Sequence, residues 1–214
     1  MTSLLFAASL FVPAGTLRWP AAWTYLVLMF GFSIGISVWL LRHDPDLLAE
    51  RMSGIGRADQ ESWDKILLSI TAVGFFGWHA AMGFDRREHA STLPDWLRGG
   101  GGLLLLTSFY VFFLAFRENA FLSPAVRIQT DRGHRLVDTG PYGLVRHPLY
   151  AGFALYAVGV ALLLGSWRGL GGAAILIALV ARRAVLEERL LRGRLEGYAA
   201  YAERVRYRLV PGIW

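Results

Sequence analysis

"AAWTYLVLMFGFSIGISVWLL", residues 21–41, contains no Asp, Glu, Lys, Arg or His. At about 1.5 Å per residue, a helix of that length reaches about 30 Å, enough to cross the hydrocarbon core of a bilayer. This stretch reads as a transmembrane helix, and the rest of the chain follows it. Of 214 residues, 55% are hydrophobic and only 18% charged, and the mean hydropathy is +0.41. Such a composition favours a compact bundle of membrane helices over a soluble domain.

Working outward, residues 66–84 form a second apolar run, interrupted only by His79. A third covers roughly 99–116, with the glycines at 99–102 expected at its entrance. The fourth and fifth, 149–164 and 170–185, are separated only by Gly165-Ser-Trp-Arg-Gly169, which requires antiparallel neighbours. Residues 4–12 are apolar but too short to span alone; they suit an interfacial or re-entrant helix, or half of a pair broken at Pro13. The N-terminus lacks a basic region followed by a cleavage site, so it does not read as a removable signal peptide. The expected fold is an all-α integral membrane protein of about five transmembrane helices, with a C-terminal helical hairpin and a cytoplasmic amphipathic tail. Residues 1–117 would supply N-terminal membrane helices, and residues 118–214 would form the second region of what is a single membrane domain.

Loop charge orients this layout. With five spans, one side carries segments 42–65, 117–146 and 182–208, which hold 17 Lys and Arg residues, and the other side holds 5. The positive-inside rule makes the first side cytoplasmic. The formal charge of +6 therefore reflects cytoplasmic loops and anionic headgroups. No basic arm or aromatic-interleaved basic stripe points to nucleic acid. Cysteine is absent, which excludes disulfides, thiolate metal sites and cysteine nucleophiles. Aspartate-rich metal motifs are also missing, against a prenyltransferase or lipid phosphatase.

Two clusters carry chemistry. The first is "HRLVDTGPYGLVRHPLYAG", residues 134–152. Gly140, Pro141 and Gly143 are turn residues that let backbone approach a ligand. Pro148 suits the start of the fourth helix, where its missing N–H costs nothing. The free amides of that start, with Arg146 and His147 beside them, would suit an anion; an interface loop with snorkelling arginine is the alternative. The second cluster is "RRAVLEER", residues 182–189. Arg183 and Glu187 stand four apart on one helix face, either neutralising each other or facing a cavity. Tyr198 and Tyr201, three apart in the tail, read as an aromatic wall or as interface residues, and the tail's alternating polarity as a segment along the membrane surface.

Together with "EERLL", "GYAAY" and "RVRYRLVPGIW", these clusters resemble the isoprenylcysteine carboxyl methyltransferase family, including its bacterial members. "ENAFLSPAVRIQTDRGH", residues 118–134, is similar to the bacterial relatives. The resemblance covers residues 118–214. It implies an S-adenosylmethionine-dependent membrane methyltransferase, multi-pass in a bacterial inner membrane, with its active site facing the cytoplasm. His134, Leu136, Val137, Tyr142, Arg146, His147, Pro148, Tyr150 and Glu187 would bind the cofactor, and Arg183 would act at the methyl acceptor. The partners implied are membrane lipids and a lipophilic or lipid substrate, with no metal. The tail reads Leu195-Glu-Gly-Tyr198-Ala-Ala-Tyr201 where the family usually has F-G-x-E-Y-x-x-Y, one residue longer, so no role passes to Tyr198 or Tyr201. "VRYRLVPGIW" also resembles the end of NADPH-dependent sterol and enone reductases, the alternative reading.

Other charged residues are expected to be structural. His79 reads as a neutral, hydrogen-bonded histidine, residues 85–89 as a solvated loop, and His43 with residues 44–50 as an interfacial helix start without a site. Glu118 and Asn119 are placed to brace the 134–152 loop.

Overall fold

A computed structural model of the chain describes residues 2–53, 56 and 58–214. Arg57, one of the basic residues counted on the cytoplasmic side, lies outside the described residues. The helices are α1 (Thr2–Ala14), α2 (Pro20–His43), α3 (Pro45–Met52), α4 (Ser62–Glu88), α5 (Asp95–Glu118), α6 (Pro148–Leu164), α7 (Trp167–Arg194) and α8 (Tyr198–Arg204). Single 3-10 turns lie at Thr130–Arg132 and Gly140–Gly143, and no strand occurs among the described residues. Helices α2, α4, α5 and α7 are each long and apolar enough to cross a membrane, and α1 and α6 are shorter apolar helices. The protein is an all-α integral membrane protein. At 17 residues, α6 is at the lower limit of a spanning helix.

Local chemistry fixes the helix ends. Proline opens α2, α3 and α6, where its fixed φ suits the first turn and its missing N–H is not needed. Asp44 caps α3 by accepting from the Leu47 amide at 2.9 Å, which satisfies one of the orphan donors of the first turn. Gly165, at φ +73°, ends α6, so the hairpin connection is only Gly165 and Ser166. The third span begins earlier than the sequence suggested. Helix α5 starts at Asp95, which places residues 99–102 inside it rather than at its entrance.

Contact density divides the chain into two compact units. The first comprises the chain through Gly35, Ile70–Phe109 and Phe153–Leu179. Its packing depends on small residues. A Cβ on Gly101 would lie 2.5 Å from the Leu163 backbone nitrogen, and one on Gly159 2.8 Å from that of Leu105. The glycine run is therefore a close helix–helix seam of α5 against α6. His79 is buried and its Nε2 lies 2.9 Å from the Tyr25 hydroxyl. Asp85 corrects the solvated-loop reading. It is buried within α4 and accepts from the Ser91 and Ser166 hydroxyls, both at 2.5 Å, fastening the turn of the hairpin.

The second unit comprises Ile36–Ser69, Tyr110–Gly152 and Val180–Trp214. Leu40, Leu47 and Phe116 form one buried cluster, packed with Phe112, Leu122 and Leu149. Tyr198, Tyr201, Ala202 and Val205 form another, against Leu136, Leu191 and Leu195. The second set recurs at i, i+3, i+4 and i+7, the apolar stripe of an amphipathic helix. In α8 that stripe is covered by protein.

Candidate functional site

All the functional candidates fall in the second unit, and the polar skeleton there explains how they are held. The carboxylate of Glu188 is the hub. It accepts from Arg146 through Nε at 2.7 Å and Nη2 at 3.3 Å, from His147 Nε2 at 3.1 Å and from Arg208 Nε at 3.1 Å. Arg146 also donates through Nη1 to the carbonyls of Val205 at 2.6 Å and Arg206 at 3.0 Å. The backbone repeats the connection, since the Arg146 and His147 amides donate to Tyr207 and Arg208 carbonyls at 2.9 Å each. A buried carboxylate with several charge-assisted donors is stabilised as the anion. The group welds the 140–150 loop to the tail.

A second network fixes the segment before that loop. Arg127 is buried and donates to Glu50 through Nε at 3.1 Å and Nη2 at 3.0 Å, and to Asp59 and Asp131 at 2.9 and 2.8 Å. The hydrogen bonds to Glu50, outweighing the penalty of burial, hold its pKa above the usual arginine value. Gln129 donates to the Phe121 carbonyl at 2.6 Å. Its amide donates to His134 Nδ1 at 3.4 Å, which makes Nδ1 an acceptor. The His134 ring stacks on Phe121 at 4.8 Å, and burial lowers its pKa.

The turn between the two networks requires glycine. Gly140 adopts φ +55°, and a Cβ there would lie 2.7 Å from Glu118 Oε2. The Thr139 hydroxyl donates to the same Glu118 carboxylate. The end of α5 braces the loop, as its sequence position suggested. The start of α6 differs from expectation. The amides of Tyr150 and Ala151 both donate to the His147 carbonyl, at 3.1 and 3.0 Å, so few free donors remain for an anion.

These elements enclose one cavity of about 280 Å³. His134, Leu136, Val137, Tyr142, Arg146, His147, Pro148, Tyr150, Arg183 and Glu187, the ten residues singled out from the sequence, all line it. Arg183 and Glu187 do not pair with each other among the described residues. Arg183 donates to Asp64 through Nε at 2.7 Å and Nη2 at 3.3 Å, and to the Pro124 carbonyl at 2.6 Å. Glu187 accepts from the Tyr150 hydroxyl at 2.7 Å. Arg146 reaches the cavity wall with its donors already engaged by Glu188 and the tail.

Other residues line or support the cavity, among them the two tyrosines that the sequence left as an aromatic wall or interface residues. Tyr198 and Tyr201 are buried, edge-on at 5.5 Å, and both border the cavity. The Tyr201 hydroxyl donates to the Tyr142 carbonyl at 2.8 Å. The hydroxyls of Tyr142 and Tyr198 are buried and donate to no acceptor among the described residues. Burial pushes both pKa values up, keeping them protonated, although the nearby Asn119 side chain acts on Tyr142 in the opposite sense. Arg51, in the helix read as carrying no site, lines the cavity as well. Glu188 and Asp64 act one layer behind. Adjacency of two glutamates was the one available signal for Glu188, because successive helical residues project about 100° apart and face different surroundings.

None of the curated proteins compared with the chain matches it. A family model does match, over residues 103–193, from the first third of α5 almost to the end of α7. It contains all ten of the residues singled out from the sequence, the eight from His134 to Tyr150 and also Arg183 and Glu187. That model describes the isoprenylcysteine carboxyl methyltransferase family, and to this family of methyltransferases the region is assigned.

Proposed function

We propose that the chain is an S-adenosylmethionine-dependent enzyme that methylates a lipophilic acceptor, an isoprenoid or lipid carboxylate or a lipid amine, at the cytoplasmic membrane face. The observation that carries this reading is convergence: residues dispersed from His134 to Glu187 border one cavity. The lining fits such a cofactor. Leu136, Val137, Leu191 and Leu195 give apolar surface for a heterocycle. The Tyr142 and Tyr198 hydroxyls are donors in need of an acceptor. Glu187 is oriented by Tyr150 through one carboxylate oxygen, which leaves the other for an amino group.

Bound there, the cofactor would supply a methyl group already activated by its sulfonium, ready for a nucleophile's lone pair. The protein's own task is then alignment at about 3–3.5 Å and exclusion of water, rather than proton transfer. Arg183 suits the acceptor side. Asp64 and Pro124 clamp it through Nε and Nη2, leaving Nη1 for the acceptor. The 17-to-5 distribution of basic residues supports a cytoplasmic opening. Residues 118–214 would carry the catalysis and residues 1–117 the N-terminal membrane helices.

Calorimetry of the detergent-purified protein against S-adenosylhomocysteine and against NADPH tests the proposal. Saturable binding of the first is expected. Binding of NADPH alone would establish the reductase reading supported by "VRYRLVPGIW".

A further inference from the structure

Arg51 differs from the other arginines of the cavity wall. Arg146 is paired with Glu188 and Arg183 with Asp64, whereas Arg51 has no carboxylate partner among the described residues. Its guanidinium lies 4.5 Å from the centre of the Phe116 ring and donates once, from Nη1, to the Leu122 carbonyl at 3.0 Å. Nε and Nη2 carry no hydrogen bond among the described residues. Burial lowers its pKa to about 10, so the side chain still carries its charge at neutral pH.

A second observation marks the same place. Tyr142 is only 6% exposed and lines the cavity, and its hydroxyl, which the Asn119 side chain approaches, donates to no acceptor among the described residues. The charge of Arg51 acts on that hydroxyl, and so does the charge of Glu187. A half-buried cation and an unpaired donor thus meet on one side of a cavity whose acid is Glu187. An unpaired buried charge is costly, and a bound anion would remove that cost.

We infer that Arg51 and the Tyr142 hydroxyl form an oxyanion subsite of this cavity, which takes a carboxylate of the bound molecules. Arg51 supplies charge and two parallel N–H donors, the geometry that suits a carboxylate, and Tyr142 supplies a neutral donor. The inference deepens the methyltransferase reading and rests on it. The carboxylate belongs either to the amino-acid end of the cofactor or to the acceptor.

Calorimetry separates these sources. Wild type, Arg51→Gln and Arg51→Lys are titrated with S-adenosylhomocysteine and with its analogue in which hydrogen replaces the carboxylate. They are then titrated, saturated with S-adenosylhomocysteine, with dodecanoate and with dodecanol. If the cofactor supplies the carboxylate, Arg51→Gln weakens S-adenosylhomocysteine at least tenfold and leaves the analogue within about twofold. If the acceptor supplies it, both cofactor ligands are unchanged and dodecanoate loses at least tenfold while dodecanol does not. In either case Arg51→Lys recovers part of the loss. Equal weakening of the charged and uncharged ligands, or no effect on any of them, overturns the subsite. Melting curves establish that each variant is folded. Failure of wild type to bind S-adenosylhomocysteine would instead defeat the methyltransferase reading, and the dodecanoate comparison, run without it, would still test Arg51.

Discussion

The first compact unit and the second are built from portions of the same long helices, yet they bury different chemistry. In the first, the ion pairs among the described residues sit at exposed positions, Arg168 with Glu88 and Arg98 with Asp95. Its interior is closed by glycine contacts such as Gly101 and Gly159, and its buried polar groups are neutral hydroxyls, an imidazole and one capped aspartate. In the second, acid and base are buried together, with side-chain exposures of 4% and 3% for Arg146 and Glu188 and 2% and 5% for Arg127 and Glu50. Charge within a bilayer is expensive, and the first unit relies on close packing, whereas the second holds its buried charges against one another.

That contrast is best broken at its centre. Glu188→Ala leaves Arg146, His147 and Arg208 facing each other without an anion. Removal of one partner from a buried pair costs about 3–5 kcal/mol. We expect the largest fall in melting temperature of any variant here, with proteolysis of the tail beyond Val205. A variant melting like wild type would show that the network does not hold the second unit.

The matching test in the first unit is Gly101→Ala. The added carbon would meet backbone atoms of α6 at 2.5 Å, and backbone cannot swing aside. Overpacking of this kind costs about 1–3 kcal/mol. Melting temperature should fall, while the affinity of the remaining folded protein for S-adenosylhomocysteine stays unchanged.

Within the second unit, Glu187→Gln separates ligand contact from framework. Glu187 holds no arginine among the described residues, so stability should be nearly retained. Affinity for S-adenosylhomocysteine should drop about tenfold, or about 1.4 kcal/mol. A shift in melting temperature with unchanged affinity would make Glu187 part of the framework.

A smaller effect is expected from pH. Burial sets the folded pKa of His134 below its ordinary 6.5, so the unfolded chain takes up the proton first as pH falls. Stability contributed by the neutral ring is complete above 6.5 and is lost as pH falls through the window beneath it. Melting between about pH 7 and pH 5 should decline more steeply in wild type than in His134→Gln. The smallest change is expected for Tyr198→Phe. Its hydroxyl has no protein partner among the described residues, so stability should move by no more than about 0.5 kcal/mol. Any loss should appear only in ligand affinity.

How far these features were legible depends on how local their causes are. The uncharged run at 21–41 became α2 because length and apolarity are properties of the segment itself. The R-H-P-x-Y set was legible for the same reason, since Arg146 to Tyr150 are contiguous and Pro148 announces the helix. The glycines at 99–102 read as the entrance of the third span because sequence cannot show which backbone will approach them. Asp85 read as loop because its serine partners at 91 and 166 are supplied by other segments. Asp64 and Arg183 lie 119 residues apart, and no spacing rule joins them. Arg51 sat in a helix with an ordinary cap, and what distinguishes it is the lack of a carboxylate partner among the described residues, a property of the folded state.

The bonds from Arg146 to the tail also impose an order on biosynthesis. The Val205 carbonyl, the nearest tail acceptor of Arg146, is encoded 59 residues later. At about 5–20 residues per second, translation takes roughly 3–12 s to cover that interval. During it the preceding helices can enter the bilayer while Arg146 is still without its tail acceptors. Maturation of the cavity therefore follows insertion of the anchor, and a ribosome stalled between these points would leave a membrane-embedded chain with an open, immature site.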